Sequence, residues 1–446
     1  MGWTPALGRG GWPAGGMQER QGLATPEHYD LLVIGRDLAG LLAAALLARK
    51  GRRVRVLLPD AAPDPVPRPP LFGLQAPVVQ RGLDALGLVH ATRTRLAGPP
   101  SPVTIALPDR RLTLEPTLEA RGRELGAAFP EVRGELLRLF DRIEGYGRCL
   151  DSLLSGEIEL PPDGFAARRA LKRQVMSLPV GLLVGVAPPW SEVPLLRGLL
   201  GALLAVAGRH DDPAGPITAG GARAIWHLCQ GIHRFRDGPG TLSEMVTEKL
   251  KTFGGFLDPE RTVSSVTQRR KEIVSVQDNR QRRHTAEVYI FADDDAVVSG
   301  LLELGPTPPA TGRVRHAVVA PGDRPAGLLD PMGWLPAVGG PAVRVRAGDQ
   351  ALRMVWRGDA PPPSLDRLTP FAAVDADVTE ACPLPLPADD VDLLRLFRRP
   401  VRGPMKNMLR VGPWVLPGLG LEGDFLTAWQ AVEVAGRMLP RRARVG

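Results

Sequence analysis

One run of about thirty residues constrains this chain more than any other, because only one supersecondary unit accommodates it. Asp30-Leu31-Leu32-Val33-Ile34 reads as a strand buried on both faces. It is followed by Gly35-Arg36-Asp37-Leu38-Ala39-Gly40 and then by an Ala/Leu-rich segment with helical character to Lys50. Gly51 closes that helix, and Arg53–Leu58 is a second apolar strand. Strand, tight turn, helix and strand at this spacing form a βαβ unit, and a βαβ unit demands a parallel sheet covered by helices. The fold class expected is therefore α/β, with a Rossmann-like, nucleotide-binding type of domain at its base.

In a crossover of this kind three glycines have separate tasks. The first makes the turn, the second lets backbone approach a pyrophosphate, and the third lets helix and strand pack closely. Gly35 and Gly40 keep the two folding tasks, while the middle position is Asp37. A carboxylate there occupies space meant for phosphate oxygens. It is also expected to cap the helix N–H groups that would otherwise hold an anion.

Beyond Leu58 the chain is proline-rich through Asp60–Pro70, a loop. Val103–Leu107 and Arg111–Leu114 alternate around Pro108-Asp109-Arg110, the pattern of a hairpin. From Leu118 to about Gly208 the period is helical. Ala222–Phe235 and Thr241–Phe253 predict two further helices, and Thr262–Val266, Ile273–Gln277 and Glu287–Ala292 predict short strands. A β-rich, proline-containing stretch leads to a strand at Met408–Val411 and a helix over Phe425–Leu439.

Five segments in this order resemble the phytoene desaturase and amine oxidase branch of the FAD-dependent oxidoreductases. They are the Asp30–Leu58 unit; the Val103–Leu114 hairpin with Ala128-Phe129-Pro130; Arg236–Leu242; Gly254-Gly255 before paired strands; and Val411–Ala431. The resemblance implies FAD as cofactor and a long apolar, isoprenoid-like or lipid-like substrate. In that chemistry the flavin takes the hydride, so no protein acid or base is required. The cofactor-binding positions it implies are Gly35, Asp37, Gly40, Leu58, Gly412, Pro417, Gly418, Gly420 and Gly423; no catalytic side chain and no metal ligand is assigned. Several depart from the pattern. Leu58 stands where the family has a ribose-binding acid, with Asp60 two residues on behind Pro59. The Gly-Gly-Arg segment that follows in the family is absent. Gly412-Pro413 replaces Gly-Asp and removes both a carboxylate and a donor. Asp424 puts an acid at the expected start of the last helix, as an N-cap. Glycines that shape backbone are thus retained, and groups that touch the ligand are altered at three places. Two functions stay open: a flavin oxidoreductase, or a cofactor-free pseudoenzyme that binds a lipid or a protein partner.

Other features read more plainly. Trp226, His227, Cys229 and His233 fall on one predicted helix, but a spacing of six separates the two histidines, giving one core and one surface residue. Phe165–Met176 carries Arg168, Arg169, Lys172 and Arg173 ahead of the apolar Leu178–Trp190. The plain reading is a solvated helix face; the alternative is peripheral membrane contact. Cys149, Cys229 and Cys382 show no metal or disulfide spacing. The net charge of +8 does not indicate nucleic acid, since only six of the 56 basic residues are lysines and the arginines are scattered. No run reaches the ~20 apolar residues of a spanning helix, so a cytoplasmic protein, peripheral to membranes if associated at all, is expected. The expected organisation is a Gly/Pro-rich tail over 1–28, with Met17 an alternative start; nucleotide-binding segments over 29–115, 228–298 and 408–446; a helical cap over 116–227; and a β-rich substrate domain over 299–407.

Overall fold

The computed structural model describes residues 28–59, 73–106, 111–155, 160–176, 199–200, 203–204, 219–238, 240–293, 295–303, 311–319, 333–335, 343–347, 352–357, 378–383, 400–413, 415–416 and 419–440. The tail through residue 27, the loop over 60–70, the apolar stretch 178–190 and Pro417-Gly418 lie outside them.

Strand β1 (His28–Gly35) divides its side chains between two cores, as alternation requires: Leu31 and Val33 face one cluster, Leu32 and Ile34 the other. Helix α1 (Leu38–Arg49) is buried along its whole apolar run from Ala39 to Ala48. At roughly 1.5–3 kcal/mol for each large aliphatic side chain taken from water, that burial outweighs any local preference. Strand β2 (Val54–Leu57) lies parallel to β1, with Leu31 opposite Val54 and Ile34 opposite Leu57, so the predicted βαβ unit is present.

The chain continues through α2 (Pro77–Ala85) and α3 (Val89–Arg95) to the hairpin β3 (Val103–Ala106) and β4 (Arg111–Leu114). Helix α4 (Leu118–Ala128) is capped by Thr117, whose hydroxyl accepts from the Ala120 N–H at 3.3 Å. A 3-10 turn at Pro130–Val132 leads into α5 (Arg133–Leu154), then α6 (Gly164–Met176) and α7 (Ala219–Cys229). Helix α8 (Thr241–Thr252) precedes β5 (Phe256–Asp258), β6 (Val263–Arg269), β7 (Glu272–Asp278) and β8 (Arg283–Ala292), followed by α9 (Asp295–Leu301). Strands β9 (Thr311–Val319), β10 (Gly333–Leu335), β11 (Val343–Ala347), β12 (Leu352–Arg357) and β13 (Val378–Pro383) come next, and β14 (Met408–Arg410) and α10 (Gly420–Met438) close the described chain.

Two sheets result. In the first, β5, β2, β1 and β8 run parallel in that order, and β7 and β6 continue it antiparallel. β7 pairs with the first residues of β8 and β14 with its last, Tyr289–Phe291. One face of this sheet carries α1, α8 and α10; this is the Rossmann-like α/β layer expected. The second sheet has the order β13-β9-β12-β11-β10-β3-β4, with only β10 and β3 parallel. The hairpin therefore belongs to the second sheet, not to the nucleotide-binding segment ending at 115. Its edge groups find a partner in β10, some 220 residues downstream, and no local pattern could announce that.

Candidate functional site

The crossover from β1 to α1 is tight for reasons internal to the protein. Gly35 has φ +115°, and a Cβ there would stand 2.1 Å from the Ala292 carbonyl oxygen. A Cβ on Gly40 would stand 2.4 Å from the Ala292 Cβ and 3.3 Å from Val33 Cγ1. Both glycines thus let β1, α1 and β8 meet, with or without a ligand.

Asp37 occupies the N-cap position of α1, with φ −61° and ψ 144°. Its side chain makes no capping hydrogen bond, contrary to the expectation, although its backbone carbonyl accepts from Gly40 and Leu41 at 3.0 and 3.2 Å. The carboxylate turns toward the C-terminal segment instead. Asp37 Oδ2 lies only 3.0 Å from where a Cβ on Gly412 would stand. Gly412 has φ +94°, and its N–H donates to Thr427 Oγ1 at 3.0 Å. The β1–α1 turn and the loop after β14 are thereby brought together across one half-buried acid.

The other expected contacts are also taken up by protein. Leu58 packs against the main core, its N–H donates to the Asp258 carbonyl (3.0 Å) and its carbonyl accepts from Arg261 (2.7 Å). β2 ends at Leu57, and Asp60 is outside the described residues. Pro413, one residue after Gly412, has no N–H to offer. Helix α10 begins at Gly420, earlier than the Phe425 expected, so Asp424 sits in its second turn and is no N-cap; that position belongs to Leu419. Gly423 sits in a crowded place, with a Cβ there 3.1 Å from the Leu416 carbonyl oxygen.

The first turn of α10 carries part of a buried charge cluster that motif reasoning missed. Glu422, in its first turn, is 1% exposed. Arg223 Nε donates to Glu422 Oε2 at 3.0 Å and Nη2 to Oε1 at 2.8 Å, a bidentate pair. The same guanidinium donates to the Gly147 carbonyl at 2.6 Å and to Asp151 Oδ1 at 2.5 Å, so α7, α5 and α10 share one cation. His227 Nε2 donates to Glu422 Oε2 at 3.3 Å. Burial alone would raise the Glu422 pKa, but Arg223 and His227 overcome it and hold it down at about 2. Arg223 is pushed the other way: burial opposes its charge, and Glu422 and Asp151 more than restore it. Both groups stay charged near neutrality and cannot exchange protons there. One signal was available in the sequence, since Arg223 and His227 are four apart on an otherwise apolar helix and so share a face.

The histidine reading needs correction. α7 ends at Cys229, and His233 lies beyond it on an extended segment bridged to residues 96–101; both His227 and His233 are buried. Burial lowers the His233 pKa. Burial also raises the Cys229 thiol to about 11, which leaves no thiolate for chemistry. In helix α6 Leu171 is in the core, and Arg168, Arg169, Lys172 and Arg173 are exposed. No group of three or more metal-binding side chains gathers among the described residues. No described helix is long and apolar enough to cross a membrane.

These residues do not fit a tightly held FAD. A pyrophosphate following the β1–α1 turn would meet the Asp37 side chain where the second glycine leaves room. Two like charges about 4 Å apart repel by roughly 4 kcal/mol at an effective dielectric constant near 20. That is close to three decades of affinity.

No family model matches the sequence, and no curated protein does. The chain is similar in fold to an oxidoreductase from Methanosarcina mazei, with TM-score 0.54 and 13% identity over 90% of this chain and 99% of that one. It is equally similar to a Rab GDI from Plasmodium falciparum, with TM-score 0.54 and 11% identity over 92% and 98% of the two chains. The fold is therefore the mixed α/β, Rossmann-like fold of these structures. Identity this low carries the fold and no activity.

Proposed function

We propose that this chain uses a flavoprotein scaffold without a tightly bound dinucleotide, and acts as a binding protein for a lipid-like ligand. The observation that carries this reading is the Asp37 carboxylate packed against Gly412. Leu58 and Pro413 support it, since each replaces a ligand-binding group with one that offers no hydrogen bond to a cofactor. Access to a membrane surface is part of the proposal. Helix α6 presents Phe165, 80% exposed, beside Arg168, Arg169, Lys172 and Arg173, a combination suited to anionic lipid headgroups. That one protein of this fold bears the name oxidoreductase and another Rab GDI is in keeping with a scaffold serving more than one purpose.

A second reading is favoured by the intact geometry of Gly35 and Gly40 and by the five segments that resemble the phytoene desaturase and amine oxidase branch. In it the chain is a flavin oxidoreductase acting on a long apolar, isoprenoid-like substrate. The two readings part in one measurement on protein purified under mild conditions. A colourless preparation whose melting temperature ignores added FAD supports the cofactor-free reading. Flavin absorption near one equivalent removes it.

A further inference from the structure

The extended segment after α7 meets the end of α3 as a short antiparallel ladder, and the ladder sorts its side chains by kind. The bridge between Leu96 and Phe235 is flanked by two backbone bonds, Ala97 N–H to the Arg234 carbonyl at 2.8 Å and Arg236 N–H to the Arg95 carbonyl at 3.0 Å. A second bridge joins Ser101 and Ile232, each N–H donating to the other's carbonyl at 2.9 and 2.8 Å. Gly231, with φ +89°, permits this close approach, since a Cβ there would stand 2.9 Å from Pro100 Cβ. Alternation puts Leu96 and Phe235 on one face, and both pack against the main core. The other face receives Arg95, Arg234 and Arg236. Arg234 and Arg236 are exposed and Arg95 is half-buried.

Arg95 and Arg236 stand directly opposite each other, and a like-charged cross-strand pair is unfavourable by itself. No acid relieves it: among the described residues none of the three arginines forms an ion pair, and Asp237, next in the chain, pairs with none of them. Other arginines of this surface are neutralised, Arg123 by Glu119 at 2.8 Å and Arg402 by Asp163 at 2.9 Å. Arg236 Nε donates to the Leu96 carbonyl at 3.0 Å, which holds its guanidinium beside the ladder. Four backbone bonds therefore fix where the three side chains start, so binding has only side chains to order.

We infer that this arginine face is a binding site for a phosphate-bearing ligand, a phosphomonoester or diphosphate held between Arg95 and Arg236 with Arg234 beside them. A dianion placed there offsets the repulsion between the opposed guanidinium groups, and its three or more oxygens accept from two planar forks at once. A single carboxylate, with one charge and two oxygens, serves only one fork. None of the three arginines belongs to the β1–α1 crossover or to α6, so the site stands whichever reading of the crossover holds.

The full chain is titrated with inorganic phosphate, pyrophosphate, acetate and a tetraglutamate peptide at constant ionic strength, following binding heat and melting temperature. In a second arm it is floated with phosphatidylcholine vesicles carrying phosphatidic acid or, at equal surface charge, phosphatidylserine, so that any general attraction of α6 for anionic lipid cancels. Binding of phosphate and pyrophosphate identifies a free phosphorylated ligand; preference for phosphatidic acid without soluble binding identifies a lipid headgroup, and both support the inference. Arg95→Gln is expected to weaken the binding seen roughly tenfold. It is expected to leave the ligand-free melting temperature unchanged or higher, because it removes a like-charged neighbour, whereas a purely structural arginine would lower it. Arg234→Gln, which touches no backbone bond of the ladder, is expected to weaken binding severalfold, and Arg269→Gln, an exposed arginine at the end of β6, to leave it unchanged. Acetate or tetraglutamate binding as tightly as pyrophosphate, unchanged affinity in both Arg95→Gln and Arg234→Gln, an equal loss in Arg269→Gln, or no binding in either arm would each overturn the inference.

Discussion

Asp37 and Glu422 are two acids in related places, each near the start of a helix that packs on the first sheet, and their surroundings give them different parts. The Asp37 carboxylate closes the crossover against Gly412. Replacing it with glycine restores the backbone room of a dinucleotide turn, so Asp37→Gly is expected to raise FAD affinity by one to three decades, from the repulsion of roughly 4 kcal/mol. Equilibrium titration followed by flavin fluorescence measures this; an unchanged affinity would show that another group blocks the site. Glu422 instead holds three helices together through Arg223. Removing one partner of a buried pair costs about 3–5 kcal/mol, whereas replacing both with apolar groups is often near neutral. Glu422→Gln should accordingly lower stability more than the double change Arg223→Met, Glu422→Leu, as read from urea midpoints. The acid limb follows from the same residue. Its folded pKa of about 2 lies below the ordinary 4.5, so its contribution is complete above about pH 4.5 and is lost as pH falls from there toward 2. Asp278 shifts in the same direction: burial opposes its charge, but His284, two backbone N–H groups and Arg261 outweigh that. The stability lost between pH 6 and pH 3 should be smaller in Glu422→Gln than in the parent chain.

Among the elements, β1 and α1 are the best determined and the least tolerant. Their alternation and glycine spacing demanded the βαβ unit, and the contacts of Gly35 and Gly40 with Ala292 show why no side chain fits. Gly40→Val overpacks this junction and should cost about 1–3 kcal/mol or more, seen as a lower urea midpoint with unchanged slope. A tolerated valine would mean that β8 and α1 are not in this register. Helix α10 shows the opposite situation. The sequence placed its start at Phe425, because Pro417–Gly423 looked like loop, and the chain begins it at Gly420, with the buried Glu422–Arg223 pair in the first turn. Helix α6 was legible as a basic, amphipathic segment, and Leu171 marks a position on its buried face. If α6 meets membranes, Phe165→Ser should weaken binding to vesicles containing anionic lipid severalfold without changing the melting temperature, because Phe165 packs against little else.

At the scale of the whole molecule, α10 of the Rossmann-like layer is joined to helices α5 and α7 by the charge cluster, and the chain crosses between that layer and the second, mostly antiparallel sheet. The sequence by itself determined the α/β class and the βαβ unit, and it set which side chains stand at positions 37, 58 and 413. These are matters of period, of glycine spacing and of residue chemistry, all readable over short windows. Only the tertiary structure decided that Asp37 points at Gly412 and does not cap its own helix, that the Val103–Leu114 hairpin pairs with β10, and that Arg223, His227 and Glu422 meet. It also decided that Arg95 and Arg236 stand opposite each other. Each of these joins residues far apart in the chain, from about 140 between Arg95 and Arg236 to almost 400 between Asp37 and Gly412. The energy of such contacts comes from burial and low dielectric surroundings that exist only once the separate elements have packed.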